Sequence, residues 1–174
     1  MKRFLFLFIF GVSFSQNNSD NYYLDVQAFR GNIYKHTQEV SHLATGHPDG
    51  FLISLNKKSS GKKEWQQAYG YPDYGISFQA IDFKNKYLGQ NYALGLHYNF
   101  YFLKRHLLFR VSQGIGFTTN PYDKDTNNKN NAFGSKFLDN NYVLLQYQKQ
   151  NLLGPIGLQT GFMLTHFSNA RFKA

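Results

Sequence analysis

Apolar and polar residues alternate along this chain with a period of two, the spacing of a β-strand whose faces meet different surroundings. Residues 91–103 show it most cleanly. Tyr92, Leu94, Leu96, Tyr98, Phe100 and Phe102 fall on one side, and Asn91, Ala93, Gly95, His97, Asn99 and Tyr101 on the other. Residues 106–118 repeat the alternation with the parity exchanged, setting Leu107, Phe109, Val111, Ile115 and Phe117 against His106, Arg110, Ser112, Gly114, Gly116 and Thr118. In residues 154–168 the even positions, among them Ile156, Leu158, Phe162 and Leu164, form the greasier row, and Gln159, Gly161 and Thr165 stand opposite. Weaker strands are predicted over 22–30, 50–57, 63–83 with an interruption near 70–72, and 141–150. No long amphipathic helix competes with them.

Glycines and polar residues opposite the large apolar ones fill a narrow lumen well and line an apolar ligand cavity badly, so the apolar rows face outward. The fold class is all-β, an antiparallel barrel of the outer-membrane type. Seven strands are counted, whereas single-chain bacterial barrels close with an even number. The sequence also stops at Phe172-Lys173-Ala174 without a terminal aromatic strand. The expectation is an eight-stranded barrel that lacks its last strand in this chain. Loop lengths orient it: Lys104-Arg105 makes a tight turn, while 119–140 is long, polar and rich in asparagine. Such barrels keep short turns in the periplasm and long loops outside, so the strand over 154–168 ends in the outer leaflet.

Lys2 and Arg3 precede an apolar run from Phe4 to Phe14, and Ser13 and Ser15 are spaced like the small residues before a leader cut. Residues 1–15 therefore read as a secretory signal, too short to remain as a spanning helix. Residues 16–174 form one barrel domain, incomplete at its C-terminus. The chain has no cysteine, which excludes disulfide staples and a cysteine-anchored lipoprotein start. Its formal charge of +9 falls to about +7 without the leader. An exported basic chain meets anionic lipid headgroups first, and no nucleic-acid-binding motif is present. Aromatic residues make up 18% of the chain while mean hydropathy is negative. Lipid-facing alternation with aromatic girdles produces that combination.

Candidate chemistry lies in Thr165-His166-Phe167-Ser168-Asn169-Ala170. His166 and Ser168 are two residues apart on a strand and leave by the same, outward face. Histidine is the usual base near neutral pH, and a serine hydroxyl becomes nucleophilic when such a base takes its proton. Backbone N–H groups at Asn169 and Ala170, where regular strand ends, are candidates for an oxyanion hole. No acid to orient the imidazole is read nearby. His-x-Ser is a common accident, and interfacial packing is the bland alternative. His36, His42 and His47, with Glu39 and Asp49, match no standard metal-ligand spacing. His97 and Arg110 fall on the lumenal rows, where polar groups need partners. No metal or cofactor is expected.

The segment 157–170, ending in His166-Phe167-Ser168-Asn169-Ala170, resembles the hallmark of the PagL lipid A 3-O-deacylases, outer-membrane esterases on an eight-stranded barrel. Gly61-Lys62-Lys63-Glu64-Trp65 and Tyr71-Pro72-Asp73-Tyr74-Gly75 resemble PagL-related proteins of Bacteroidetes labelled acyloxyacyl hydrolases. The resemblance implies His166 as base, Ser168 as nucleophile and backbone amides from Asn169 onward as oxyanion donors. It also implies lipid A or lipopolysaccharide as substrate and the outer membrane as location, with no cofactor, no nucleic-acid partner and a homodimer left open. Arg171 stands where the family often has glycine, positioned either to crowd the oxyanion site or to contact phosphate. The family's catalytic acid lies in the final strand, beyond Ala174, and the chain as given is inactive wherever activity requires that residue. The expected function is an outer-membrane serine esterase that hydrolyses an ester-linked acyl chain of lipid A or a related glycolipid. The rivals are a catalytically silent barrel that is structural or binds glycolipid, and a soluble ligand-carrying barrel.

Overall fold

Eight antiparallel strands follow one another around a closed barrel in chain order. They are β1 Leu7–Ser15, β2 Tyr22–Arg30, β3 Asp49–Lys57, β4 Asp73–Asp82, β5 Gln90–Phe102, β6 Leu107–Thr118, β7 Phe137–Leu153 and β8 Ile156–Asn169. The computed structural model describes residues 7–15, 22–34, 38 and 40–169.

The side-chain parity is the one the sequence predicts. On β5, Leu94 and Leu96 stand 61% and 68% exposed, while His97 and Asn99 are buried in the lumen. So much apolar surface is stable only against lipid. Aromatic residues gather at both ends of this outer belt. Phe78 stacks on Tyr92 and Phe117 meets Phe137 toward one rim, and Tyr74 and Trp65 meet Tyr98 toward the other. These are the two interfacial girdles of an outer-membrane barrel.

A polar lumen must satisfy its own hydrogen bonds, because no bulk water solvates it. Arg110 and Asp25, both fully buried, pair at 2.8 Å. The guanidinium also donates to Ser54 Oγ at 2.7 Å and Asn99 Oδ1 at 2.6 Å. Asp25 accepts further bonds from Asn56 and Gln159. His97 Nε2 lies 2.8 Å from Asn56 Oδ1, an oxygen that only accepts, so this ring nitrogen carries the proton. The network joins β2, β3, β5, β6 and β8 and so braces the wall from inside.

The connections 103–106 and 154–155 are short and lie at one end, together with 58–72. At the other end the two longest connections, 31–48 and 119–136, meet the shorter 83–89. Leu43, Leu88 and Phe133, one from each, pack with Leu138 into an apolar plug, against which Phe83 and Phe167 also rest. By the length rule this end faces outward from the cell.

Three expectations change. Residues 64–68 form a short helix, α1 Glu64–Ala68, instead of the first half of a strand. The Gln66 side chain caps it by accepting the Lys63 N–H, and Gly70 and Tyr71 at positive φ turn the chain into β4. Second, β7 begins at Phe137 and ends at Leu153 where 141–150 was expected, so the outer loop closes four residues earlier. Third, the barrel closes with eight described strands where seven were counted. Leu7–Ser15, read from sequence as the core of a leader, pairs with both β2 and β8. A leader core of about 7–15 apolar residues and a membrane strand of about 9–11 have overlapping length and hydrophobicity, so one pattern fits both.

Candidate active site at the outer end of the last strand

The inward row anchors the direction in which β8 presents its side chains. Met163 is buried and accepts a hydrogen bond from Gln79 through its sulfur, and Thr165 donates to Gln79 Oε1 and accepts from Asn140. Phe167 turns inward onto Phe83 and Phe133. Gly116 on β6 makes room for it: a Cβ there would lie 3.0 Å from the Phe167 ring. With these odd positions held in the lumen, a slip of one residue would exchange the faces, and the packing forbids it. Leu158, Phe162, Leu164 and His166 consequently face out and are exposed, and Ser168 continues their row half-buried.

His166 and Ser168 thus share the lipid-facing side at the long-loop end, as expected. Among the described residues no hydrogen bond joins them. Two strand residues separate Cα atoms by about 6.6 Å, so transfer of a proton between the side chains requires both rotamers to turn inward along the row. Catalytic hydrogen bonds are often open before substrate binds. Asn169 is exposed and ties β8 to the outer loop, its Oδ1 accepting the Gly134 N–H at 2.6 Å and its Nδ2 donating to the Ala132 carbonyl. Ala170, Arg171, His36 and Glu39 lie outside the described residues. His42 is 2.8 Å from the Lys129 carbonyl and His47 2.6 Å from Asn32 Oδ1, so the two imidazoles serve different loop contacts.

Sequence reading missed two neighbours. In the register of β7 against β8, Asn141 lies opposite His166 and Asp139 opposite Ser168. Both are half-buried on the outward row of β7, and the Asn141 amide donates to the Asp139 carboxylate. Asp139 and Asn140 fall in the polar stretch 119–140 expected as loop, and Asn141 opens the strand expected over 141–150.

Beside His166 opens an apolar cavity of about 500 Å³, walled by Phe29, Leu43, Phe83 and Phe133 and by Leu164 to Phe167 of β8. Residues of both faces of β8 contribute, so the cavity passes around a strand edge. Among the described residues β1 pairs with β8 from Ile156 to Met163. Farther out on the rim, Lys86 and Lys129 lie over the Tyr87 ring, 5.0 and 5.6 Å from its centroid.

The arrangement offers a base, a hydroxyl, a carboxylate and an apolar receptacle at the membrane's outer boundary. A family model described as Lipid A 3-O-deacylase (PagL) matches residues 49–174, which include β3 to β8 with His166, Ser168 and Asp139, and the cavity walls from Ile81 onward. No curated protein and no solved structure matches. A match over well more than half of the chain, on a closed eight-stranded barrel, settles the family: this chain belongs to the PagL lipid A 3-O-deacylases.

Proposed function

We propose that the protein is an outer-membrane serine esterase that removes an ester-linked acyl chain from lipid A or a closely related glycolipid. The observation that carries this reading is the outward projection of His166 and Ser168 beside the apolar cavity at the long-loop end. An ester of a membrane glycolipid reaches those groups with its acyl chain in the hydrocarbon or the cavity, whose volume is within the range of about 300–1,000 Å³ common to small-molecule sites. Lys86 and Lys129 at the rim suit the phosphates of such a headgroup.

In this mechanism Ser168 Oγ attacks the acyl carbonyl and its proton passes to His166. Backbone N–H groups at Asn169 and Ala170 receive the developing oxyanion. Collapse of the tetrahedral intermediate breaks the ester bond, and His166 returns its proton to the departing sugar alcohol. Water, deprotonated in turn by His166, then attacks the acyl-serine ester and releases the fatty acid.

The same reading retains residues 1–15 as an export leader. His166 and Ser168 stand on β8 opposite Asn141 and Asp139 of β7, a pairing that does not involve β1.

Mass spectrometry of lipid A from outer membranes with and without the protein tests the proposal. The expected result is a lipid A species lighter by one ester-linked acyl group, with the matching free fatty acid. Identical lipid A in both membranes contradicts it and favours a silent, glycolipid-binding barrel.

A further inference from the structure

At the periplasmic end the lipid-facing row carries a cation among its aromatic rings. Lys57, at the end of β3, stands directly across from Tyr22 of β2 on one side and Tyr74 of β4 on the other. Its Nζ lies 5.5 Å from the Tyr22 ring centroid. The row continues through Tyr98 of β5, whose ring meets Tyr74 at 6.2 Å and Trp65 of α1 at 6.3 Å. Tyrosine and tryptophan rings settle at the headgroup level of a bilayer, so the Lys57 ammonium sits at the depth of the lipid phosphates.

Two more lysines are held on the same rim by local hydrogen bonds. The Gly61 carbonyl accepts from Gln67 Nε2 at 2.9 Å, and the Lys63 N–H donates to Gln66 Oε1 at 3.4 Å. Gly61, at φ 71°, packs so closely on the Tyr71 ring that a Cβ would lie 2.6 Å from it. Lys62 and Lys63, both exposed, are thereby fixed next to the helix that carries Trp65. From Lys57 to Lys63 the chain has four lysines and no carboxylate. Glu64, the next residue, offsets one of these charges. Among the described residues Lys57, Lys62 and Lys63 make no ion pair, and the buried Asp73 on this rim is engaged by Arg105 at 2.5 Å. The patch keeps its positive charge.

We propose that this rim binds the headgroup phosphate of an anionic phospholipid in the periplasmic leaflet, with Lys57, Lys62 and Lys63 supplying charge and Tyr22 and Tyr74 supplying hydroxyl donors. Lysine clusters at a membrane boundary attract anionic lipid, and a phenol hydroxyl donates to phosphate oxygens. A zwitterionic lipid brings its own ammonium to the same place, where the lysines repel it. A lipid with net negative charge does not suffer that repulsion. The long-loop end, not this one, faces the outer leaflet, so the occupant here is a phospholipid and not the lipid A of the opposite side. Bound there, it fixes the height of the barrel in the bilayer and so the level at which the outer ends of β7 and β8 meet the other leaflet. This binding is independent of the esterase reading.

Trp65 is the single tryptophan of the chain and borders the patch, so it reports which lipid lies beside it. The full chain is reconstituted in liposomes of phosphatidylcholine and phosphatidylglycerol in equal amounts, with one lipid or the other brominated near the top of its acyl chains, where bromine quenches the indole. Both leaflets have the same composition, so the direction of insertion does not matter. At low salt phosphatidylglycerol is expected to be favoured at Trp65 by about tenfold, and the preference should shrink as salt rises. Lys57→Gln should lower it about fivefold, the worth of one lysine near an anionic surface, and K62Q with K63Q should abolish it. Lys124→Gln, in the loop 119–136 at the opposite end, should leave it unchanged. Heat-modifiable gel migration checks that each variant folds. A loss in either rim variant that is absent from Lys124→Gln supports the proposal. Equal quenching by the two lipids in the parent overturns it, as does a preference that survives both rim variants. A preference that Lys124→Gln lowers as far as Lys57→Gln reports only the net charge of the whole protein and overturns it as well.

Discussion

Ser168→Ala is expected to reduce release of fatty acid from lipid A by at least about 10⁴-fold while the barrel keeps its heat-modifiable migration. The magnitude follows from what the hydroxyl does. In the proposed mechanism no acyl-enzyme forms without it, and the remaining acceleration comes only from substrate placement and oxyanion donors, which in serine hydrolases amounts to about 10³–10⁴ over water. The fold should not notice the change. Ser168 is half-buried on the outer row, and among the described residues it contributes no hydrogen bond to the lumen. Its backbone pairing with Asp139 survives substitution. Release of free fatty acid in detergent micelles, measured by mass spectrometry, reads the result. Undiminished release would remove Ser168 from the mechanism.

Asp25→Ala should have the largest effect on stability. Arg110 and Asp25 are each fully buried in the lumen and are 2.8 Å apart. Removing the carboxylate leaves an uncompensated guanidinium that cannot reach water, a change that typically costs about 3–5 kcal/mol. Asn56 and Gln159 also lose the oxygen to which they donate. Lys84, in contrast, bridges Asp49 and Asp82 on the exposed outer rim, and its replacement should barely move the midpoint. Denaturant-induced unfolding from liposomes, followed by tryptophan fluorescence at Trp65 or by gel migration, compares the two. Equal midpoints for Asp25→Ala and the parent would mean that the lumen is more hydrated than its hydrogen bonding indicates.

The lipid-facing rows were legible in the sequence because alternation is a local property. Leu94, Leu96, His97 and Asn99 declare their sides without reference to any other strand, and the same logic put His166 and Ser168 outward. What alternation cannot supply is pairing. The partnership of Arg110 with Asp25 spans β6 and β2 and depends on barrel closure. The plug of Leu43, Leu88 and Phe133 joins three loops far apart in the chain, so the cavity beside His166 had no local signal. Asp139 was hidden for a different reason. Its neighbours are polar on both parities, as Asn140 turns to the lumen to bond Gln79 and Asn141 turns outward to bond Asp139. From sequence Asp139 and Asn140 read as the end of the long polar loop and Asn141 as the start of a strand, yet all three belong to β7, with one facing the lumen and two facing outward opposite Ser168 and His166. Leu7–Ser15 carries a pattern that suits both a leader and a membrane strand, so alternation alone does not choose between them.

The absence of cysteine from the chain makes the lipid-facing placement of the site directly measurable. Single cysteines introduced at positions 163 to 168, spin-labelled in liposomes, report collision with lipid-dissolved oxygen. Accessibility should alternate, high at 164, 166 and 168 and low at 163, 165 and 167. The reverse parity, with 166 and 168 shielded in the lumen, would contradict an attack by Ser168 on lipid esters and end the esterase reading.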